Sequence, residues 1–152
     1  MIEVEVEDEA WREVAEVETL VTSAAEAALE DRTSGDLAVL LTDDQAVRDL
    51  NSRFRGKAAP TNVLSFPASQ TAHPHLGDIA LAHGVCAAEA AAQGKRLADH
   101  LSHLVVHGVL HLLGYDHEAD APAAAMEAME RDILSRLGVA DPYGQDRVHV
   151  GS

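Results

Sequence analysis

Three histidines in the run HGVLHLLGYDH carry the clearest chemistry in this chain: His107, His111 and His117. The first two are four residues apart in an apolar segment. On a helix that spacing puts both imidazoles on one face, about 6 Å apart along the axis. Zinc bonds histidine nitrogen at about 2.0–2.1 Å, so ligand nitrogens must lie within about 4 Å of one another. Side chains one turn apart can converge that closely. His117 would sit about 15 Å from His107 along the axis if the helix ran on. Gly114 removes that obstacle, because a glycine just past an apolar helix readily takes the left-handed cap conformation and turns the chain. Tyr115 and Asp116 then bring His117 back towards the helix end. Three neutral imidazoles would hold one Zn2+ per chain and leave a fourth position for water or substrate. That open position is the mark of a catalytic rather than a structural site. Nickel, copper and iron accept the same ligands.

A single buried histidine is usually a hydrogen-bonded core residue. Here the surrounding helix is apolar nearly all round, with Leu104, Val105, Val106, Val109, Leu110, Leu112 and Leu113. Histidines on such a helix are buried or face a pocket, and buried imidazoles need partners. Three of them, closed by a glycine turn, point to a metal. The spacing H-x-x-x-H-x-x-G-x-x-H matches the metzincin zinc proteases with one departure. Those enzymes place a glutamate general base directly after the first histidine, and here that position is Gly108. A peptidase without its base loses about 10²–10⁴ in rate, so a zinc metallopeptidase-like hydrolase is the weaker alternative.

The stretch HLVVHGVLHLLGYDH (His103–His117) is similar to the YbeY family of bacterial metal-dependent endoribonucleases, the rRNA maturation factors. Further matching blocks are LNSRFRGKAAPTNVLSFP (Leu50–Pro67), LGDIALA (Leu76–Ala82), QGK (Gln93–Lys95) and DPY (Asp141–Tyr143). The resemblance covers roughly residues 36–143. It implies a small mixed sheet carrying the metal helix on one side. It also implies a single-strand-specific endoribonuclease acting in rRNA maturation, at the 3′ end of small-subunit rRNA, and in ribosome quality control. The implied partners are single-stranded rRNA and ribosomal particles or a ribosomal protein, without DNA. A non-catalytic ribosome-assembly factor that keeps the metal for stability is the other alternative.

Arg55 lies in the block that resembles the family's conserved arginine position, although exposed arginines are common and only the resemblance sets this one apart. A guanidinium is always charged and grips phosphate through two parallel hydrogen bonds, so it could position the scissile phosphate and stabilise the transition state. A metal here could acidify a bound water or polarise a phosphoryl oxygen. His103, one turn before His107, could line the pocket or serve as an acid–base group, or be a packed core histidine. Asp116 could orient a ligand imidazole from behind or simply form the turn. Asp78 is polar inside an apolar strand and is expected to hydrogen-bond near the site. His100 is expected to be exposed or bonded locally. His73, His75 and His83 have no ligand-like spacing.

At 152 residues one domain is expected, spanning 1–152, with hydrophobic residues making up 47% of the chain. Cys86 is the only cysteine. No internal disulfide can form, which suits a reducing cytoplasm, and its thiol reads as packing. The acidic MIEVEVEDEA start is no signal peptide, and no apolar run approaches the roughly 18 residues of a membrane span. The net charge of −15 is unusual for a nucleic-acid enzyme. The bases are unevenly placed, however. Residues 1–44 contain only Arg12 and Arg32, whereas Arg48, Arg53, Arg55 and Lys57 form a short basic strip that could hold RNA.

The elements that must position these groups follow from periodicity and punctuation. Ile2–Glu7 alternates as a half-exposed strand, and residues 10–30 read as one amphipathic helix. Asp36–Leu41 is a buried strand. Thr42 or Asp43 caps a helix ending near Phe54. Asn62–Phe66 and Leu76–Leu81 are strands. Helices are expected over Gly84–Gln93, Arg96–Leu113 and Pro122–Leu137, with breaks at Gly94 and Gly138, and a loose tail after about residue 143. Interleaved strands and helices give an α/β (α+β) class: one small mixed sheet packed by helices around a central metal-binding helix.

Overall fold

Ile2, Val4 and Val6 alternate with exposed Glu3 and Glu5, so β1 (Ile2–Val6) can bury one face only. The computed structural model describes residues 2–29, 36–55, 61–67, 75–113 and 120–139, the side chains at 54–55, 67, 75–76 and 120–126 excepted. β1 pairs in parallel with β2 (Asp36–Thr42), and β2 in parallel with β4 (His75–Ala82). β3 (Val63–Pro67) closes the other edge antiparallel to β4, giving the order β1-β2-β4-β3. The mixed sheet expected from sequence is therefore present. Among the described residues five α-helices accompany it: α1 (Val17–Leu29), α2 (Asp44–Arg55), α3 (His83–Ala92), α4 (Leu97–Leu112) and α5 (Asp120–Arg136).

The two sheet faces are covered unequally. Leu37, Val39, Leu41, Ile79 and Leu81 face the main core, which they share with α1, α4 and Ile133 and Leu134 of α5. Leu64, Ala80 and Ala82 face Val47 of α2 in a smaller cluster. This two-sided burial is why Ile79–Ala82 is an unbroken apolar run rather than an alternating one. Among the described residues no helix is long and apolar enough to cross a membrane.

Residues 10–30 do not form the single helix expected. A 3-10 turn spans Glu9–Glu13, Val14 is extended, and Glu16 has a positive φ of 49° before α1 begins. The cause is Trp11. It is fully buried and its indole N–H donates to the Thr42 carbonyl at 2.9 Å. Burying 150–250 Å² of indole is worth about 4–6 kcal/mol, and stranding a buried N–H costs about 1–3 kcal/mol. Helix propensity over the few intervening residues offers at most about 0.7 kcal/mol each. Tertiary burial wins, and the helix breaks.

The expected punctuation holds elsewhere. Asp43 Oδ1 accepts the Ala46 N–H at 2.8 Å and caps α2. Asp44 Oδ1 accepts the Val85 N–H at 3.1 Å in the first turn of α3. Gly94 (φ 66°) and Gly138 (φ 78°) end α3 and α5 in the left-handed conformation. At each, the next residue's N–H reaches back into the helix: Lys95 to the Ala90 carbonyl, and Val139 to that of Leu134. The reversal at Gly94 sends α4 back over β3 and β4 on the main-core face.

Candidate metal centre

α4 forms because Leu101, Leu104, Val105, Val109 and Leu110 bury one broad face in the core. His107 and His111 then fall on its remaining, half-buried stripe. Their Nε2 atoms stand 3.0 Å apart and their ring centroids 4.5 Å. That is inside the roughly 4 Å limit for two ligands of one ion. The His107 side chain keeps 22% of its exposure, so the pair is reachable from solvent. Among the described residues no set of three ligands is complete. His117, the third expected ligand, lies outside the described residues, as do Gly114, Tyr115 and Asp116.

The structure adds a residue that sequence reasoning missed. Glu130 of α5 is fully buried, and its Oε1 lies 2.7 Å from His107 Nδ1. The same oxygen is 3.6 Å from His103 Nε2. A buried glutamate needs a partner, and this one braces an imidazole on the nitrogen away from His111. The signal was present in α5. Glu130 sits three and four residues before Ile133 and Leu134, both fully buried, so it is an acid on an apolar face. The donor set therefore fits a divalent transition ion: two imidazoles converge, and one is held from behind by a carboxylate.

His103, 14% exposed, does join this stripe, with its ring centroid 6.3 Å from that of His107. His100 continues the line a further 6.3 Å on. His100, expected to be exposed or bonded locally, is buried. Its Nε2 lies 2.9 Å from Glu89 Oε1, which also accepts from the Asn62 amide at 3.0 Å. This network ties the start of β3 to α3 and α4. Burial pushes the His100 pKa below its ordinary 6.5, only partly offset by Glu89. The unfolded chain therefore binds the proton more readily, and stability falls as pH drops below about 6.5. Melting temperature measured from about pH 7.5 to 5.5 should fall further in the wild type than in His100→Gln. Parallel curves would remove His100 from the acid response.

Gly108 faces the sheet. A Cβ there would lie 3.0 Å from Ile79 Cδ1 and 3.2 Å from Ser65 Oγ, and Ser65 Oγ–H donates to the Gly108 carbonyl at 3.2 Å. A glutamate at this position would be driven into packed side chains. The peptidase base is therefore missing for a structural reason as well as a sequence one.

Asp78 is not brought to the histidines. It is exposed and lies in β4 next to Ile79, whose side chain meets Gly108 of α4. Strand alternation puts Asp78 on the opposite sheet face. Arg55 is the last residue of α2 and its side chain lies outside the described ones. Arg48 and Arg53 stand exposed on the same helix, and Lys57 lies outside the described residues. Cys86 is buried, and burial, reinforced by Glu89, pushes its thiol up to about 12, so it is unreactive packing. His83 is engaged elsewhere, 2.6 Å from Glu13 Oε2 and edge-on to Trp11. A cavity of about 670 Å³ opens between α1, the start of α4 and the end of α5, lined by Thr19, Leu97, Asp99 and Val139 among others. His107 and His111 do not line it.

A family model described as Endoribonuclease YbeY matches residues 2–138. The Endoribonuclease YbeY of Maricaulis maris is 57% identical over 141 residues, covering 91% of this chain and 88% of the relative. That of Rhodopseudomonas palustris is 52% identical over 151 residues, covering 91% and 90%. The solution structure of TM1509 from Thermotoga maritima superposes with a TM-score of 0.65 at 25% identity, covering 98% of this chain and 93% of that one. The match runs through β1 and α1 as well as the histidine helix, and on that evidence the chain belongs to the Endoribonuclease YbeY family.

Proposed function

We propose that this chain is a metal-dependent endoribonuclease that cleaves single-stranded rRNA, processing the 3′ end of small-subunit rRNA and serving ribosome quality control. The carrying observation is the His107–His111 pair at 3.0 Å, braced by buried Glu130, in a chain of this family. His107, His111 and His117 would hold one Zn2+ per chain, and other divalent transition metals suit the same donors. The ion would supply a Lewis acid for a phosphoryl oxygen. Arg55 would clamp the scissile phosphate and stabilise its developing charge. Arg48 and Arg53, exposed on the same helix, would attract the adjoining backbone away from the acidic remainder of the surface. His103 would hold its place beside His107 through Glu130.

We further propose that residues 1–152 act as one domain in the cytoplasm, with ribosomal particles or a ribosomal protein supplying contacts that a −15 chain makes poorly with naked RNA. A glutamate base at position 108 would crowd Ile79 and Ser65, which counts against the peptidase alternative. The test sets single-stranded RNA, ribosomal particles and casein side by side, with metal analysis of the purified chain. RNA is expected to be cut, chelation to stop the cutting, zinc to restore it, and casein to stay intact. Intact RNA and intact particles in every arm would overturn the proposal.

A further inference from the structure

We infer that Glu130 is the positioning residue of the histidine centre: its buried carboxylate accepts a hydrogen bond from His107 Nδ1–H and thereby presents that ring's Nε2 lone pair to the metal. This deepens the metal reading above and rests on it.

A neutral imidazole has one N–H and one lone pair, and the hydrogen bond at one nitrogen decides the role of the other. In His107 the two nitrogens face different groups. Nδ1 lies 2.7 Å from Glu130 Oε1, within the range of a charge-assisted bond. Nε2 lies 3.0 Å from His111 Nε2. A carboxylate can only accept, so the proton belongs on Nδ1 and the lone pair on Nε2, the nitrogen that converges with the second ligand. The same Oε1 stands 3.6 Å from His103 Nε2, so one carboxylate spans a full turn of α4.

A purely structural role fits Glu130 less well. Ile133 and Leu134 of α5 are already fully buried in the core that α4 shares. Packing between the two helices asks only for an apolar side chain of similar volume, and a desolvated charge adds nothing to it. The carboxylate's distinctive contribution is its contact with the imidazole. The contact also spans α4 and α5, the two helices joined by residues 114–119, which include His117. Holding His107 in one tautomer and one orientation removes a rearrangement that metal binding would otherwise have to drive.

The full chain, labelled with 15N and stripped of metal at about pH 8, gives the His107 tautomer by long-range proton–nitrogen NMR. Competition with a chromogenic chelator gives zinc affinity, and melting of the metal-free chain reports the fold. Wild-type His107 should show a single Nδ1–H tautomer. Glu130→Leu should show a mixed or inverted tautomer and bind zinc about 10–100-fold more weakly, with the metal-free chain still melting cooperatively. Glu130→Gln keeps a carbonyl acceptor at similar size, so it should retain the tautomer and lose less affinity than Glu130→Leu. Three results would overturn the inference: a wild-type His107 protonated on Nε2, unchanged zinc affinity in Glu130→Leu, or affinity lost only in step with lower melting in both variants. A wild-type chain that binds no zinc would sink the metal reading instead, while the metal-free tautomer would still decide the role of Glu130.

Discussion

Replacing His111 with alanine should remove the metal and RNA cleavage together, while the metal-free chain still melts cooperatively. His111 sits on the half-buried stripe of α4, so truncating it opens no closed cavity in the core. Its Nε2 is one of the two nitrogens that converge at 3.0 Å. Losing a group that only supports a ligand costs about 10–100-fold in metal affinity, and losing the ligand itself should cost more. Elemental analysis of purified His111→Ala should therefore read far below one zinc per chain, and cleavage of single-stranded RNA should fall to the level seen under chelation. Full metal content in this variant would show that the pair is not a ligand pair. Full cleavage at low metal content would separate the chemistry from the centre.

Arg55→Ala should lower RNA cleavage by about 10²–10³-fold, the usual effect of removing one electrostatic contact to a transition state. Metal content and helical signal should not change, because the proposed partner is substrate phosphate. Arg55→Lys should restore only part of the loss, since an ammonium cannot make the two-pronged contact. Arg55 closes α2, which also displays Arg48 and Arg53. Steady-state cleavage of a defined single-stranded RNA measures all three proteins. Unchanged cleavage by Arg55→Ala would make this an ordinary surface arginine, and lost metal or helicity would make it structural.

Much of this arrangement is local and therefore legible before folding. His107 and His111 need only a helix and a four-residue spacing to converge, and the apolar run around them makes that helix. Asp43, Gly94 and Gly138 act through bonds within a few residues of themselves, so the ends they mark fall where expected. Residues 114–119, which carry Gly114, His117 and Asp116, lie outside the described residues. The failures share the opposite property. Trp11 breaks its helix because of a carbonyl 31 residues away. His100 is buried because Glu89 and Asn62 come to it from α3 and the start of β3. Asp78 reads as a site residue in an apolar strand, yet the pleat turns it to the face away from α4.

By itself the sequence determined the helix that carries the histidines, the spacing that pairs two of them, and the absence of a peptidase base at Gly108. These depend on residue type and short-range periodicity, which the chain carries at every temperature and in every context. Only the tertiary structure decided which carboxylate stands behind His107, which side chains a group at position 108 would crowd, and which sheet face Asp78 occupies. Those outcomes depend on how α5 and the sheet pack against α4. A glutamate 23 residues from its histidine becomes its partner only when both are buried at one helix contact, where an unpaired charge would be too costly to leave.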